Sequence, residues 1–232
     1  MKRPISILMI LLLLFPSFTV AEKATEQNDQ LYSFYGYKPG ENYYRLFFES
    51  PIADQLYSFL NQNIKEEESQ DNEGNDIVKM STINPISVLG ENIDMLVSAK
   101  NKQIVQVYIF AQERKCRSFF ELEDGLNHYL QWACSLFPEK YDWSCIKLYG
   151  TNYDLPKDVK GNIDIQKISE VMITLNSSSI DINWKNVIGM LIMNKSNGFY
   201  ELTFILQIND SCNSPIENIR PFDEYAPISP FQ

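Results

Sequence analysis

Histidine occurs once in this chain of 232 residues, at His128. Any imidazole mechanism must use that residue, yet no Gly-x-Ser-x-Gly elbow accompanies it, so a Ser-His-Asp set has no visible nucleophile. The phosphate-cradling patterns Gly-x-x-x-x-Gly-Lys and Gly-x-Gly-x-x-Gly are absent as well. Cysteine is sparse, with four residues and no Cys-x-x-Cys, and one histidine beside them gives no recognisable zinc spacing. The sequence therefore predicts no cofactor, no metal and no catalytic set. On a helical wheel His128 falls on a polar face with Asp124 one turn before it, which reads as a surface histidine without a role.

Basic residues are also few, 20 against 30 acidic ones, for a net charge of −10. Nucleic acid and anionic lipid both require positive charge at the contact, so neither is an expected partner. A basic protein suits the charge better. Long apolar runs are missing too: the stretch from Ile5 to Phe15 is shorter than the ~20 residues of a membrane span. It follows Lys2 and Arg3 and precedes Pro16 and the small-residue sequence Thr19-Val20-Ala21, the pattern of a secretory signal peptide cleaved after Ala21. The expected location is the periplasm or the secreted fraction, with no stable membrane insertion after cleavage. Loss of Lys2 and Arg3 leaves 18 basic residues against 30 acidic ones, a charge of about −12.

Export changes the reading of Cys116, Cys134, Cys145 and Cys212, because an oxidising compartment favours disulfides. Cys116 and Cys134 flank a helix, which would separate them by about 25 Å at 1.5 Å per residue. A disulfide needs Cα atoms within about 7 Å, so two connectivities remain. The favoured one joins Cys134 to Cys145 and Cys116 to Cys212.

The helix itself is the clearest element. Ser118-Phe119-Phe120-Glu121 fits a capping box, and Phe119, Leu122, Leu126, Tyr129, Leu130 and Ala133 share one face. Phe137-Pro138 ends it. Gly125 inside it predicts close packing against another element. A second principal helix is expected over 51–63, opened by Ser50-Pro51 and striped by Ile52, Leu56, Phe59 and Leu60.

Strands are predicted as hairpins. Residues 31–37 and 42–48 flank Pro39-Gly40, with a helix over 41–49 as the competing reading. Residues 93–99 and 104–110 flank a Lys-Asn-Lys-Gln turn. Further strands are expected at 77–89, 144–149, 168–175, 180–193 and 199–208, with Asn197-Gly198 as a hairpin turn and Gly189 as a bulge. Residues 65–76 read as a solvated acidic loop. A calcium loop aligned on Gly74 would place Ser69 first and Met80 twelfth, so the EF-hand pattern fails. The expected architecture is α+β: a mainly antiparallel sheet built from hairpins, with two principal amphipathic helices and disulfides. After a 22–30 lead-in, residues 31–212 form one domain, with a subdomain split between 60 and 84 as the alternative. A Pro-rich extended tail covers 213–232.

Eight aromatic residues crowd the first hairpin, and Tyr35, Tyr37, Tyr43 and Tyr44 are candidate partner contacts, with ordinary packing as the competing reading. The functional expectation is an exported acidic binding protein without catalysis, such as an inhibitor or immunity protein against a basic envelope enzyme. The alternatives are an exported hydrolase with an unrecognised carboxylate site, and an envelope assembly component.

Overall fold

Two-residue turns with positive φ fold successive strands back on one another, and the alternation of side chains then assigns each residue to one of two sheet faces. The computed structural model describes residues 31–34, 37, 39–42, 64–137 and 140–225. Strands β1 (Ile64–Gln70), β2 (Asp76–Thr82), β3 (Ile86–Val88), β4 (Glu91–Lys100), β5 (Gln103–Ala111) and β6 (Arg114–Cys116) precede helix α1 (Phe119–Leu136). After it come β7 (Trp143–Leu148), β8 (Thr151–Asp154), α2 (Ile165–Met172), β9 (Ser177–Trp184), β10 (Val187–Ser196) and β11 (Phe199–Ile208). All eleven strands join one sheet in the order β1-β2-β4-β5-β11-β10-β9-β7-β8, with β3 beside β4 and β6 beside β11. Every strand pairing is antiparallel.

The two halves of the chain meet where Val107–Phe110 of β5 pairs with Ile205–Ile208 of β11. Ile93, Met95, Val97, Val107 and Ile109 are buried on the face that carries α1, while Leu96, Tyr108 and Phe110 lie half-buried on the other. The register slips once, at Ser98/Ala99, which leaves Val105 as the extra residue and keeps Ala99 and Ile104 facing the core.

Helix α1 covers the core face. Ser118 Oγ accepts from the Glu121 N–H at 3.2 Å, and the Glu121 carboxylate accepts from the Arg117 N–H at 2.6 Å, so the glutamate reaches one residue further back than the serine itself. The expected apolar face is buried along Leu122, Leu126, Tyr129, Leu130 and Ala133; Trp132 joins it and donates to the Val88 carbonyl at 2.8 Å. Gly125 lies against β11, where a Cβ would come within 2.7 Å of Leu202 Cδ1. The close packing foreseen for this glycine is therefore real.

Gly189 has a different explanation from the expected bulge. Strand β10 pairs without interruption on both sides. A Cβ at 189 would instead meet the Trp184 ring at 2.9 Å, the Phe204 ring at 3.1 Å and Leu206 at 3.3 Å. The missing side chain leaves room for two aromatic rings. Gly189→Ala is expected to destabilise the protein by about 1–3 kcal/mol through overpacking, measured as a lower urea midpoint at unchanged slope.

The expectation of an α+β domain with two principal helices and disulfides is corrected: the described chain is mainly antiparallel sheet. Residues 65–76 form a hairpin, not a loop, because cross-strand pairing overrides the low strand preference of Lys and Glu. Residues 165–172 form α2, not the strand expected over 168–175; Asp164 caps it by accepting from the Lys167 N–H at 3.0 Å, and Ile168 and Met172 are buried at i, i+4 spacing. The long strand expected over 180–193 is two strands, β9 and β10, turned at Lys185, which adopts φ +44° without a glycine to announce it. The helix expected over 51–63, the signal segment and most of the first hairpin lie outside the described residues. Of that hairpin, Phe34 pairs with Tyr37, and Asn42 pairs with Gln103 of β5.

The Pro-rich tail is draped, not free, as far as Tyr225. Arg220 lies parallel to β8, accepting from the Asp154 N–H and donating to the Asn152 carbonyl, each at 2.9 Å. Phe222 then enters the core under Lys167. The tail thus covers the β8 edge of the sheet.

Candidate functional site

The four cysteines are all free, Cys116 and Cys145 buried, Cys134 and Cys212 exposed. Sheet geometry explains why the favoured pairs do not form. Cys145 stands opposite Asp181 in β9, on the face away from α1, whereas Cys134 rides on α1 itself, so the sheet lies between them. Cys116 stands opposite Tyr200 near the start of β11, while the chain around Cys212 returns to Lys185 at its far end. At ~3.3 Å per strand residue, eight residues of β11 put these two well beyond bonding reach. Burial raises the thiol pKa of Cys116 and pushes that of Cys145 up to about 12, the second with help from Asp181. Neither is an activated nucleophile.

Of the candidate contact tyrosines, Tyr37 is 1 % exposed and belongs to the core. Burial, with Glu66 nearby, pushes its phenol pKa up to about 12. Tyr35, Tyr43 and Tyr44 lie outside the described residues.

His128 is not an idle surface residue. Glu91, at the start of β4, is only 4 % exposed, and its Oε2 is held by the His128 ring from α1 and by Arg114 Nη2 from β6 at 3.1 Å. Arg114 also lies over the Tyr129 ring, 5.2 Å from its centroid, and the Tyr129 hydroxyl donates to the Gln112 carbonyl. Burial, followed by Glu91, pushes the Tyr129 pKa up to about 12. A buried carboxylate needs such partners. The cluster fastens β4, β6 and α1 together, and its one hydroxyl, that of Tyr129, is committed to the Gln112 carbonyl. Sequence reasoning missed it because Glu91 and His128 stand 37 residues apart.

The face away from α1 carries a shallow cleft of about 560 Å³. Its floor comes from cross-strand neighbours: Met190 opposite Asp181, and Ile192 opposite Ser179, which in turn faces Lys147. The Tyr149-Gly150 turn forms the rim. Burial raises the Asp181 pKa above the usual carboxylate range, with Ser179 and Lys147 opposing the shift, and its Oδ1 is buried without a hydrogen-bond partner. One carboxylate is in the cleft, so the second member of a glycosidase-type pair has to come from elsewhere.

The two sheet edges differ. The tail covers β8, whereas among the described residues no strand pairs with the outer edge of β1. Glu66 and Glu68 stand opposite Met80 and Val78, on the core side of β1, and no described cation lies within 4 Å of either. Lys65 pairs with Glu67 at 2.5 Å, which lowers the Glu67 pKa. In the adjoining turn, Asp71 accepts from the N–H groups of Glu73 and Asn75 and pairs with Lys100 at 2.9 Å; its pKa falls well below the usual range, with Lys100 the leading cause. Its carboxylate is already satisfied by the protein. Among the described residues there is no group of three or more His, Cys, Asp or Glu placed to hold a metal, and no helix is long and apolar enough to cross a membrane.

Comparison with known protein families, curated proteins and solved structures found no match.

Proposed function

We propose that this chain is an exported, acidic binding protein without catalytic activity that captures a basic protein partner along its open sheet edge. The carrying observation is the seven-residue strand β1, exposed along Lys65–Gln70 and unpaired on its outer side among the described residues. Free alternate N–H and C=O groups on such an edge accept an added strand, and side-chain charge selects which strand. Acidic residues on edge strands also guard against self-association. The two roles agree, because a second copy would set Glu66–Glu68 against another acidic strand, which repels, whereas a lysine-bearing strand attracts. A net charge of −10 steers a basic partner toward the surface and speeds the encounter. An inhibitor or immunity protein of a basic envelope enzyme is the role this profile fits best.

The proposal is tested with a fluorescent Lys-Val-Lys-Val-Lys-Val-Lys peptide and its Glu-for-Lys counterpart. The lysine peptide is expected to bind, to weaken steeply from 50 to 200 mM salt, and to lose at least tenfold in affinity to Glu66→Lys/Glu68→Lys. Equal binding of the two peptides, or indifference to the double substitution, contradicts the reading.

A further inference from the structure

Three turns among the described residues, each with glycine second, share one geometry but not one sequence: Leu89-Gly90, between β3 and β4, has φ +49° and +82°. Asn197-Gly198, between β10 and β11, has φ +45° and +86°; Tyr149-Gly150, between β7 and β8, has φ +48° and +81°. Both positions of such a two-residue turn require positive φ, for which asparagine followed by glycine is the favoured pair. A bulky aromatic residue in the left-handed region is a genuine outlier. Tyr149 is nevertheless there, as Leu89 is in the β3–β4 turn, and both are exposed, so burial accounts for neither. What sets Tyr149 apart from Leu89 is its place, because its turn forms the rim of the cleft on the face away from α1. Strain of this kind concentrates at ligand sites.

The rest of the cleft has the chemistry of one ligand class. Met190 and Ile192 supply an apolar floor, which with an exposed tyrosine ring suits the C–H faces of a sugar. Asp181 Oδ1, buried and unpartnered, accepts from a hydroxyl; Ser179 bonds to the same carboxylate, and Lys147 supplies a donor beside it. Lys147 and Asp181 together cancel in charge, which favours a neutral ligand over an anion or a cation. The cleft volume, about 560 Å³, falls within the usual range for small-ligand sites. We propose that this cleft binds a neutral saccharide, with Tyr149 stacked on a ring face and Asp181 bonded to hydroxyls. The proposal is independent of the β1 edge, which lies at the opposite end of the sheet order.

The test uses the whole chain, titrated calorimetrically with maltotriose, cellotriose and chitotriose, and with glycine as a zwitterionic control. At least one trisaccharide is expected to bind with a dissociation constant of about 1 mM or tighter. Tyr149→Asn recreates the Asn-Gly turn, so it is expected to raise the melting temperature by about 2–4 °C while weakening saccharide binding at least tenfold. Asp181→Asn should weaken binding likewise, with the ordered sheet retained by circular dichroism. Binding of glycine alone, binding of no trisaccharide, or saccharide binding unchanged in Tyr149→Asn overturns the proposal. A fall in melting temperature for Tyr149→Asn overturns the strain argument behind it.

Discussion

Phe204→Ala is expected to destabilise the protein by about 3–5 kcal/mol, the range for removing a large aromatic residue from a packed core. Phe204 is fully buried in β11, where the two halves of the sheet meet. Its ring lies 5.8 Å from Tyr129 in a stacked arrangement and 5.9 Å from Trp132 edge to face. It is therefore a central contact between α1 and the sheet, beside Gly125 on Leu202 and Trp132 on the Val88 carbonyl. Gly189 beside it already marks how tightly the ring is enclosed: a Cβ there would come within 3.1 Å of it. Collapse into the vacated space would require α1 to move, and the cluster of Glu91, Arg114 and His128 resists that movement. Urea unfolding followed by tryptophan fluorescence measures the loss. A change below about 1 kcal/mol would show that α1 is held mainly by other contacts.

Glu91→Ala is expected to cost less, about 1–3 kcal/mol: it removes the buried member of the ion cluster, but the Arg114 and His128 side chains left behind are 40 % and 38 % exposed and water partly replaces the carboxylate. The mechanism differs from a cavity. Arg114 has a buried Nε without a partner even in the intact protein, and loss of Glu91 would leave its guanidinium still less satisfied. His128→Ala removes one of the two partners and leaves Arg114 in place, so its effect should be clearly smaller. Glu91→Leu with Arg114→Leu should recover much of the lost stability, because an apolar pair removes both desolvation penalties together. The comparison separates a structural ion cluster from an essential one. If Glu91→Ala were neutral, the cluster would be a surface ornament and the tie between β4, β6 and α1 would lie elsewhere.

Much of the sheet is legible in the residues because side-chain alternation and turn chemistry are local. The 93–99 and 104–110 hairpin, the Asn197-Gly198 turn and the span of α1 follow from patterns within a dozen residues. What escaped depends on distant partners or on missing markers. Lys65 to Gln70 carries residues that disfavour strands, and only β2 opposite makes it one. Residues 180–193 look continuous because Lys185 turns without glycine or proline. Helix α2 is rich in β-branched residues, and its true signal is the Asp164 cap with burial of Ile168 and Met172. The cysteines were read through a presumed compartment, whereas opposite sheet faces for Cys134 and Cys145, and opposite ends of β11 for Cys116 and Cys212, decide what they can reach.

The candidate surfaces were less legible still. The cleft depends on β7, β9 and β10 lying side by side, an order no local pattern conveys. Tyr149 had a visible signal all the same: an aromatic residue before glycine at the end of the strand expected over 144–149. The acidic character of 65–76 was plain, but its meaning changes once the segment is an edge strand and not a loop. A charged loop is commonly just solvated; a charged edge presents backbone groups as well.

The most direct test of the binding account is hydrogen exchange at β1. With the lysine-valine heptapeptide present at saturation, the outward amides of Lys65–Gln70, those that do not bond to β2, are expected to exchange at least tenfold more slowly, while β8 is unchanged. Protection that appears elsewhere on the sheet, with β1 exchanging as in the free protein, would contradict strand addition at this edge.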